Sequence, residues 1–464
     1  MYLNSGSLIL TENCNLNCSY CYENRTRQNN KTMNIDVAKA AIDFMIQEGL
    51  RSDKKFSVTY FGGEPLLNLA VMNESFDYAM RRSKEENIAF SCKLVTNSTI
   101  YNKEYEAFLQ KWHDQLGRVN IQLSIDGMPE IQNLNRRLHD GNESSDLVEK
   151  SVAQYLNFFK QNNIPVNDSL ITHSCVSVDN VQFMYDNYEY FKNLGFQRIW
   201  FLPIQEQNWE SDKIDIFIEQ LQKIADEIFE DCRLTRSLDA YKSFTYLNRN
   251  FDKHPLKPCG AGYNHFTVST VGEIYPCHRF MFYDKESIVG NVWDGIIYPD
   301  KRQIFLDYSM QNMFGDKMCI DQCNNKNCYR CLACNKEHNG NMLIGFYKYC
   351  NLARQAETIK KELRRKLAGI RLLKEESEAM HSNECSQSTV DEIVNILTPV
   401  IQKLDENLKA ISDNTLIHIK AIKRLEDKFG IVFEILNELA ISLSILGHEN
   451  YIKEAKINES RSDI

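Results

Sequence analysis

The segment Cys14-Asn-Leu-Asn-Cys18-Ser-Tyr-Cys21 contains three cysteines at C-x3-C-x2-C spacing. An apolar run over residues 7–11 precedes it and predicts a β-strand, so the cysteines belong to the loop after this strand. Three thiolates from one short loop can bind three irons of a four-iron cluster and leave the fourth iron open to a small molecule. A structural zinc site, the alternative, would require a fourth ligand, and the next Cys or His is Cys92.

Around this loop, residues 5–205 alternate apolar, β-branched runs with helix-length amphipathic segments, which is typical of parallel strands joined by crossover helices. The predicted strands cover residues 7–11, 56–61, 90–95, 120–125, 169–178 and 198–203. Helices are predicted at residues 35–50, behind an Asn34 cap, and at residues 148–162. Six such units predict an α/β fold, a partial (β/α)6 TIM-like barrel, whose chemistry lies at the C-terminal ends of the strands.

The length of 464 residues favours two or three domains. We expect the barrel in residues 1–230, a cysteine-rich α+β domain in residues 231–352 and an all-α extension in residues 353–464. The extension is predicted from helical apolar faces, one formed by Ile359, Leu363, Leu367 and Ile370 and a second within residues 393–411.

The net charge of −9 argues against a general nucleic-acid or membrane surface and favours a small-molecule or peptide substrate. The N-terminus has no charged and apolar segments typical of a signal peptide, so a cytoplasmic location is expected. Fifteen cysteines in a reducing compartment favour metal binding over disulfides. Eight of them fall within residues 259–350: Cys259, Cys277, Cys319, Cys323, Cys328, Cys331, Cys334 and Cys350. Cys92, Cys175, Cys232 and Cys385 are interpreted as packed or surface thiols rather than ligands.

The cysteine triplet resembles that of the radical S-adenosylmethionine (SAM) superfamily, with Tyr20 at the aromatic position beside the third cysteine. Three further elements follow in the order of that superfamily: a Gly-Gly-Glu-Pro sequence at residues 62–65, Ser124 at the end of the fourth strand, and Asn135-Arg136. The resemblance implies one 4Fe-4S cluster on Cys14, Cys18 and Cys21. It implies SAM contacts from Tyr20, Gly62, Gly63, Glu64, Ser124, Arg136 and Leu202. Gln132 and Asn133 depart from the His-Asp pair of many relatives, so no role is assigned to them.

The stretch from Cys259-Gly-Ala-Gly through Tyr-Pro-Cys277-His278 resembles the SPASM domain, the auxiliary-cluster module of peptide-modifying radical SAM enzymes. The middle cysteine block departs from the usual SPASM spacing and has a fifth cysteine. Eight cysteines would fill two auxiliary 4Fe-4S clusters, which makes three clusters in all. We assign Cys259, Cys277, Cys331 and Cys334 to the first and Cys319, Cys323, Cys328 and Cys350 to the second. If Cys331 or Cys334 is free, one cluster has an open iron for a substrate thiolate. Paired zinc knuckles are the alternative.

Within the SPASM enzymes, the sequence is most similar to the maturases of ranthipeptide and sactipeptide type, which form thioether crosslinks in ribosomally made peptides. The resemblance implies an oxidoreductase in which a 5′-deoxyadenosyl radical from SAM removes a hydrogen atom from carbon. The expected partners are a precursor peptide with a cysteine-containing core and a reductant such as flavodoxin or ferredoxin. Asp126 and His278 are the candidate acids or bases.

Three alternatives to thioether formation remain. Formylglycine formation of the sulfatase-maturing type is one, although those enzymes have Asp where this chain has His278. Carbon–carbon crosslinking and a non-catalytic metal-binding protein are the others. Recognition of the precursor is assigned to the C-terminal helices because of the basic run at residues 360–366 and the long apolar faces, with dimerisation or bracing of the barrel as the equal alternative.

Overall fold

One sheet of ten strands organises the chain in the computed structural model, which describes residues 2–25, 31–248, 259–307, 331–344 and 349–382. The strands are β1 (Ser5–Thr11), β2 (Lys55–Gly62), β3 (Ala89–Thr96), β4 (Ile121–Ser124), β5 (Leu170–Val176), β6 (Ile199–Pro203), β7 (His265–Val268), β8 (Glu273–Tyr275), β9 (Gly290–Asn291) and β10 (Gly295–Ile296). Their order is β10-β9-β8-β7-β1-β2-β3-β4-β5-β6, and the pairs from β7 through β1 to β6 are parallel. This arrangement confirms the predicted α/β partial barrel.

Helices alternate with the parallel strands. They are α1 (Ile35–Leu50), α2 (Leu69–Glu85), α3 (Lys103–Leu116), α4 (Pro129–Asn135), α5 (Ser145–Gln161), α6 (Val166–Ser169), α7 (Met184–Asn193), α8 (Ser211–Thr235), α9 (Asp239–Ser243), α10 (Thr245–Asn248), α11 (His278–Tyr283), α12 (Pro299–Asp307), α13 (Leu332–Asn339) and α14 (Cys350–Ser382). None of the helices in the described ranges is both long enough and apolar enough to span a bilayer.

Helix α1 has the predicted bounds because its first turn is capped as expected. The Asn34 side chain accepts a hydrogen bond from the backbone N–H of Val37 at 2.9 Å, which satisfies one of the free donors of that turn. Strand β5 is shorter than predicted at both ends. Residues Val166–Ser169 form a helical turn before it, and Ser177 and Asn180 exchange side-chain and backbone hydrogen bonds that close a turn after it.

Alternation along the strands separates the core from the interior of the barrel. In β1, Leu8 and Leu10 are fully buried, whereas Ser7, which precedes Leu8, lines the central cavity. Successive side chains of a strand point to opposite faces, so the apolar set packs under the helices and the other set faces inward. The site is therefore built from every second residue of the parallel strands.

The sheet continues into the cysteine-rich segment. Strand β7 pairs in parallel with β1, and β8 to β10 extend the sheet as antiparallel strands. Residues 1–367 form one compact unit, and the chain from residue 368 onward belongs to a second. The sheet thus crosses the predicted boundary between residues 230 and 231.

Helix α14 confirms a helical part after the cysteine-rich segment. Ile359, Leu363 and Leu367 of the first predicted apolar face are buried. The second predicted face, within residues 393–411, lies outside the described residues, as does Cys385.

Candidate active site

A cavity of about 480 Å³ opens at the C-terminal ends of the parallel strands. It brings together most of the site residues predicted from the sequence. Cys14, Cys18, Tyr20, Cys21, Gly62, Gly63, Ser124, Arg136, Leu202, His278 and Cys331 line it. The side chains of Glu64 and Asp126 are fully buried and are not part of its lining. Cys319, Cys323 and Cys328 lie outside the described residues.

The cysteine loop after β1 is held against the segment that follows α4. Asn17 N donates to Arg137 O at 2.8 Å, and Ser19 N donates to Asn135 O at 2.9 Å. The sulfurs receive donors as well: Leu16 N lies 3.4 Å from Cys14 Sγ, and a guanidinium nitrogen of Arg136 lies 4.0 Å from Cys18 Sγ. Such contacts stabilise thiolates that bind iron.

Gly62 and Gly63 let β2 pass close to this loop. Gly62 has φ +131°, and a Cβ atom at Gly62 would lie 2.3 Å from Thr11 O. A Cβ atom at Gly63 would lie 2.2 Å from Asn13 O. Both glycines are therefore required for the approach of β2 to the residues just before Cys14.

We expect Gly63→Ala to displace the cysteine loop, since the new methyl group would overlap the Asn13 carbonyl. Bound iron should fall by about four atoms per chain, and SAM cleavage should be lost. Iron analysis after anaerobic reconstitution measures the effect. Gly369→Ala is the matched control because, apart from its own helix backbone, no atom of the described residues lies within 4 Å of the added Cβ. Unchanged iron in the Gly63 variant would contradict the prediction.

Glu64 braces the strand ends from behind the cavity. Its carboxylate accepts hydrogen bonds from Asn97 N at 2.7 Å, Leu66 N at 3.0 Å and Thr96 Oγ1 at 2.9 Å. Burial raises the pKa of Glu64 to about 7 despite these donors. The side chain thus fixes the turn after β2, and a contact from residue 64 to SAM, as predicted, would come from its backbone.

The raised pKa of Glu64 predicts that stability depends on pH. Between its ordinary value of 4.5 and about 7, the folded chain holds a proton that the unfolded chain releases. Stability should therefore fall as the pH rises through this window, by up to about 3 kcal/mol. Between pH 5 and pH 8, the free energy of unfolding of the wild type should fall relative to that of Glu64→Gln, whose side chain does not titrate. Urea unfolding at both pH values measures this difference. A constant difference would exclude this assignment.

Asp126, at the end of β4, organises a buried network. Its carboxylate forms an ion pair with Arg136 Nε at 2.9 Å, accepts the Tyr20 hydroxyl at 2.6 Å and accepts Cys175 N at 3.1 Å. The Arg136 guanidinium lies over the Tyr20 ring at 5.4 Å from its centre. These contacts hold Arg136 and Tyr20 at the cavity wall and suit a positioning role for Asp126; its predicted role as acid or base stays a prediction.

Gln132 and Asn133, which had no assigned role, support this network. Gln132 Oε1 accepts Asp126 N at 3.0 Å. Asn133 Oδ1 accepts the backbone N–H groups of Ser144 and Ser145 at 3.0 Å each. The pair thus joins the end of β4 to the start of α5.

His278, which follows Cys277 in the cysteine-rich segment, lines the cavity. Its ring stacks on Phe61 with 4.7 Å between centres and lies 5.8 Å from Tyr22. Burial, with a smaller effect from His265, lowers the pKa of His278 to about 3. The imidazole is therefore neutral near pH 7 and a weak base, and the predicted role of His278 as acid or base stays a prediction.

The described cysteines of the SPASM-like segment lie close together. Cys259, Cys277 and Cys331 pack around one apolar cluster that includes Phe280 and Phe305. Cys334 Sγ lies 3.6 Å from Glu206 Oε1, and the hydrogen bond between Cys334 and Cys331 lowers the pKa of the Cys331 thiol. All four members of the first predicted auxiliary set are thus neighbours in the fold, while the partition into two clusters stays a prediction.

Metal-ligand geometry differs between one ion and a cluster. No three His, Cys, Asp or Glu side chains converge on a single-ion position in the part of the chain that the structure describes. A four-iron cluster does not require such convergence, because each thiolate binds a different iron.

The sequence interpretation missed several residues of the cavity wall. Arg279 pairs with Glu206 and lies over the Tyr22 ring at 4.8 Å. Lys93, His173 and His265 also line the cavity. The alternation of the strands was the available signal for Lys93 and His173.

Comparison with known proteins decides the family of the barrel. Residues 8–166 match the family model described as the radical SAM superfamily. The barrel contains a radical SAM domain. The Cys-type anaerobic sulfatase-maturating enzyme of Clostridium perfringens is 25% identical over 297 residues, which cover 61% of this chain and 75% of that enzyme. The subtilosin biosynthesis protein AlbA of Bacillus subtilis is 22% identical over 61% of this chain and 56% of its own length.

A solved structure agrees with the fold of this chain. Native anSMEcpe with bound AdoMet covers 80% of this chain and 100% of its own, with a TM-score of 0.63 and 20% identity. The radical SAM family implies SAM and a 4Fe-4S cluster. Three cysteine sulfurs on one cavity wall, N–H donors aimed at two of them and the side-chain-free Gly62–Gly63 edge fit these groups.

Proposed function

We propose that the enzyme is a peptide maturase that joins the sulfur of a cysteine in a ribosomally made precursor to a carbon of another residue. The observation that carries the proposal is that Cys331 lines the same cavity as Cys14, Cys18 and Cys21. An auxiliary cluster bound there would border the space in which the radical is formed. A substrate thiolate and a substrate carbon could therefore be held within one cavity.

The residues have distinct roles in this proposal. Cys14, Cys18 and Cys21 would bind the catalytic cluster, and Arg136 and Ser124 would contact SAM. When bound, the cluster and SAM supply a 5′-deoxyadenosyl radical that removes hydrogen from carbon. The neutral His278 ring stacks on Phe61, and this apolar wall would exclude water.

Formylglycine formation is the second candidate, favoured by the similarity to the sulfatase-maturating enzyme. His278, where those enzymes have Asp, favours the thioether. Burial lowers the pKa of this imidazole, so the ring is neutral near pH 7, whereas an ionised Asp carries a negative charge.

The basic run at residues 360–366 bears on where a precursor is recognised. Lys360 lies over the Tyr246 ring at 4.0 Å, Arg364 pairs with Glu357 at 2.8 Å, and Lys366 Nζ lies 3.8 Å from Asp226. Because Lys360 and Lys366 contact residues of α10 and α8, outside their own helix, the run favours bracing over leader recognition.

A product analysis tests the proposal. The reconstituted enzyme, SAM and reduced flavodoxin are incubated with synthetic peptides that each contain one cysteine, and the products are measured by mass spectrometry and thiol alkylation. A thioether product keeps its sulfur, loses two hydrogens and no longer reacts with iodoacetamide. Loss of sulfur would assign formylglycine formation instead, and a crosslinked product with a free thiol would assign carbon–carbon bonding. Absence of 5′-deoxyadenosine in every reaction would contradict catalysis.

A further inference from the structure

The interior of the barrel below the cysteine loop is polar. Ser7, Thr59 and Lys93 are neighbours across β1, β2 and β3, because Ser7 pairs with Thr59 and Thr59 pairs with Lys93. All three line the cavity, together with Gln122 of β4 and His173 of β5. An enclosed surface of this kind can bind a polar group of a ligand.

Lys93 differs from the two arginines of the same cavity wall. Arg136 is paired with Asp126, and Arg279 is paired with Glu206. Lys93 Nζ instead donates to the neutral Gln122 Oε1 at 2.8 Å, and no carboxylate within the described ranges lies at ion-pair distance from it. Burial, with a smaller effect from Arg198, lowers the pKa of Lys93 to about 8. A desolvated ammonium without a counter-ion is costly to the fold, so a bound anion would relieve this cost.

The imidazoles near Lys93 do not act as a counter-ion to its ammonium group. Burial lowers the pKa of His173 to about 3 and that of His265 to about 4, so both are neutral near pH 7. His265 contacts the Ser5 and Ser7 hydroxyls through its two ring nitrogens, at 3.4 and 3.1 Å. Apart from the positive charge of Arg198, these neighbours of Lys93 are neutral donors and acceptors, and the charge of this part of the cavity is positive.

We propose that Lys93 and Gln122 form a subsite for a carboxylate group of the substrate. The inference rests on the proposed function and names the chemistry of its substrate: a peptide that carries an acidic side chain or its own C-terminal carboxylate into the barrel. The Lys93 ammonium binds one carboxylate oxygen. The Gln122 amide accepts from Lys93 through its oxygen, so its NH₂ group is free to donate to the second carboxylate oxygen.

Binding of small model compounds tests this subsite independently of the overall reaction. The reconstituted holoenzyme with SAM is titrated by calorimetry with N-acetyl-aspartate N-methylamide, its asparagine counterpart and N-acetylglycine. The first probe presents an acidic side chain, the second is the uncharged control, and the third presents a C-terminal carboxylate. We expect at least one carboxylate probe to bind about tenfold or more tightly than the amide. Preference between the two carboxylate probes identifies the source of the group.

Variants of Lys93 complete the test. Lys93→Arg should keep the preference for the carboxylate, whereas Lys93→Met and Lys93→Gln should lose it. Bound iron shows whether each variant is folded. Equal affinity of the wild type for all three probes, or an unchanged preference in Lys93→Met, would overturn the subsite. Weaker SAM binding in Lys93→Met, matching the loss for the carboxylate probe, would assign the ammonium to the cofactor and would also overturn it.

The probes contain no thiol, so their binding does not depend on thioether formation. Carboxylate preference without thioether product would overturn the proposed function alone. Thioether product without carboxylate preference would overturn the subsite alone.

Discussion

Replacing Cys14, Cys18 and Cys21 together with alanine should abolish 5′-deoxyadenosine formation and lower bound iron from about twelve to about eight atoms per chain. The physical reason is that these sulfurs line the cavity and are the proposed ligands of the catalytic cluster. The cysteines of the proposed auxiliary clusters are untouched, so their iron should remain. Iron, sulfide and deoxyadenosine are measured after anaerobic reconstitution.

Cys92→Ala is the matched control for this experiment. Cys92 is buried in β3 and does not line the cavity, so its replacement should change neither iron nor deoxyadenosine. Zinc in place of iron, with no deoxyadenosine from the wild type, would contradict the cluster assignment. Retention of about twelve irons in the triple variant would place the third cluster elsewhere.

The barrel could be predicted from local patterns because each strand and helix carries its own sequence signals, such as caps, turns and apolar spacing. Helix α1 begins and ends at the predicted residues, since Asn34 caps it and its apolar spacing is helical. The strand bounds were predicted to within a few residues, because turn residues on both sides of each buried β-branched run mark where the strand begins and ends. The error at β5 arose from Ser177 and Asn180, whose side chains end the strand by binding the backbone.

The cavity wall was predicted where a short motif or the family resemblance pointed to a residue. The cysteine loop and the Gly62–Gly63 turn are short segments with chemistry of their own. The pair Arg279–Glu206 joins residues far apart in the chain, and no local pattern reports such a contact. Adjacent residues of a strand face opposite sides of the sheet. The sequence alone does not tell which side of β3 faces the interior of the barrel, so Lys93 could be placed there only from the structure.

Asp126→Ala should be among the most destabilising single substitutions in the barrel. It would leave the Arg136 guanidinium, the Tyr20 hydroxyl and Cys175 N without their common acceptor, in a site where Asp126 is fully buried. Breaking a buried ion pair from one side costs about 3–5 kcal/mol. Urea unfolding measures the loss. Asp77→Ala removes the partner of Lys111 from a more exposed ion pair and should cost at most about 1 kcal/mol.

A second substitution at residue 126 distinguishes a positioning role of Asp126 from a role in proton transfer. If Asp126 acts by holding Arg136 and Tyr20, Asp126→Asn should weaken SAM binding and lower stability together, because the amide keeps an acceptor but loses the charge that pairs with Arg136. If Asp126 instead transfers a proton, Asp126→Asn should bind SAM normally and still fail in turnover. Equilibrium SAM titration beside deoxyadenosine and product assays distinguishes the two, and normal SAM affinity with lost turnover would contradict the positioning role.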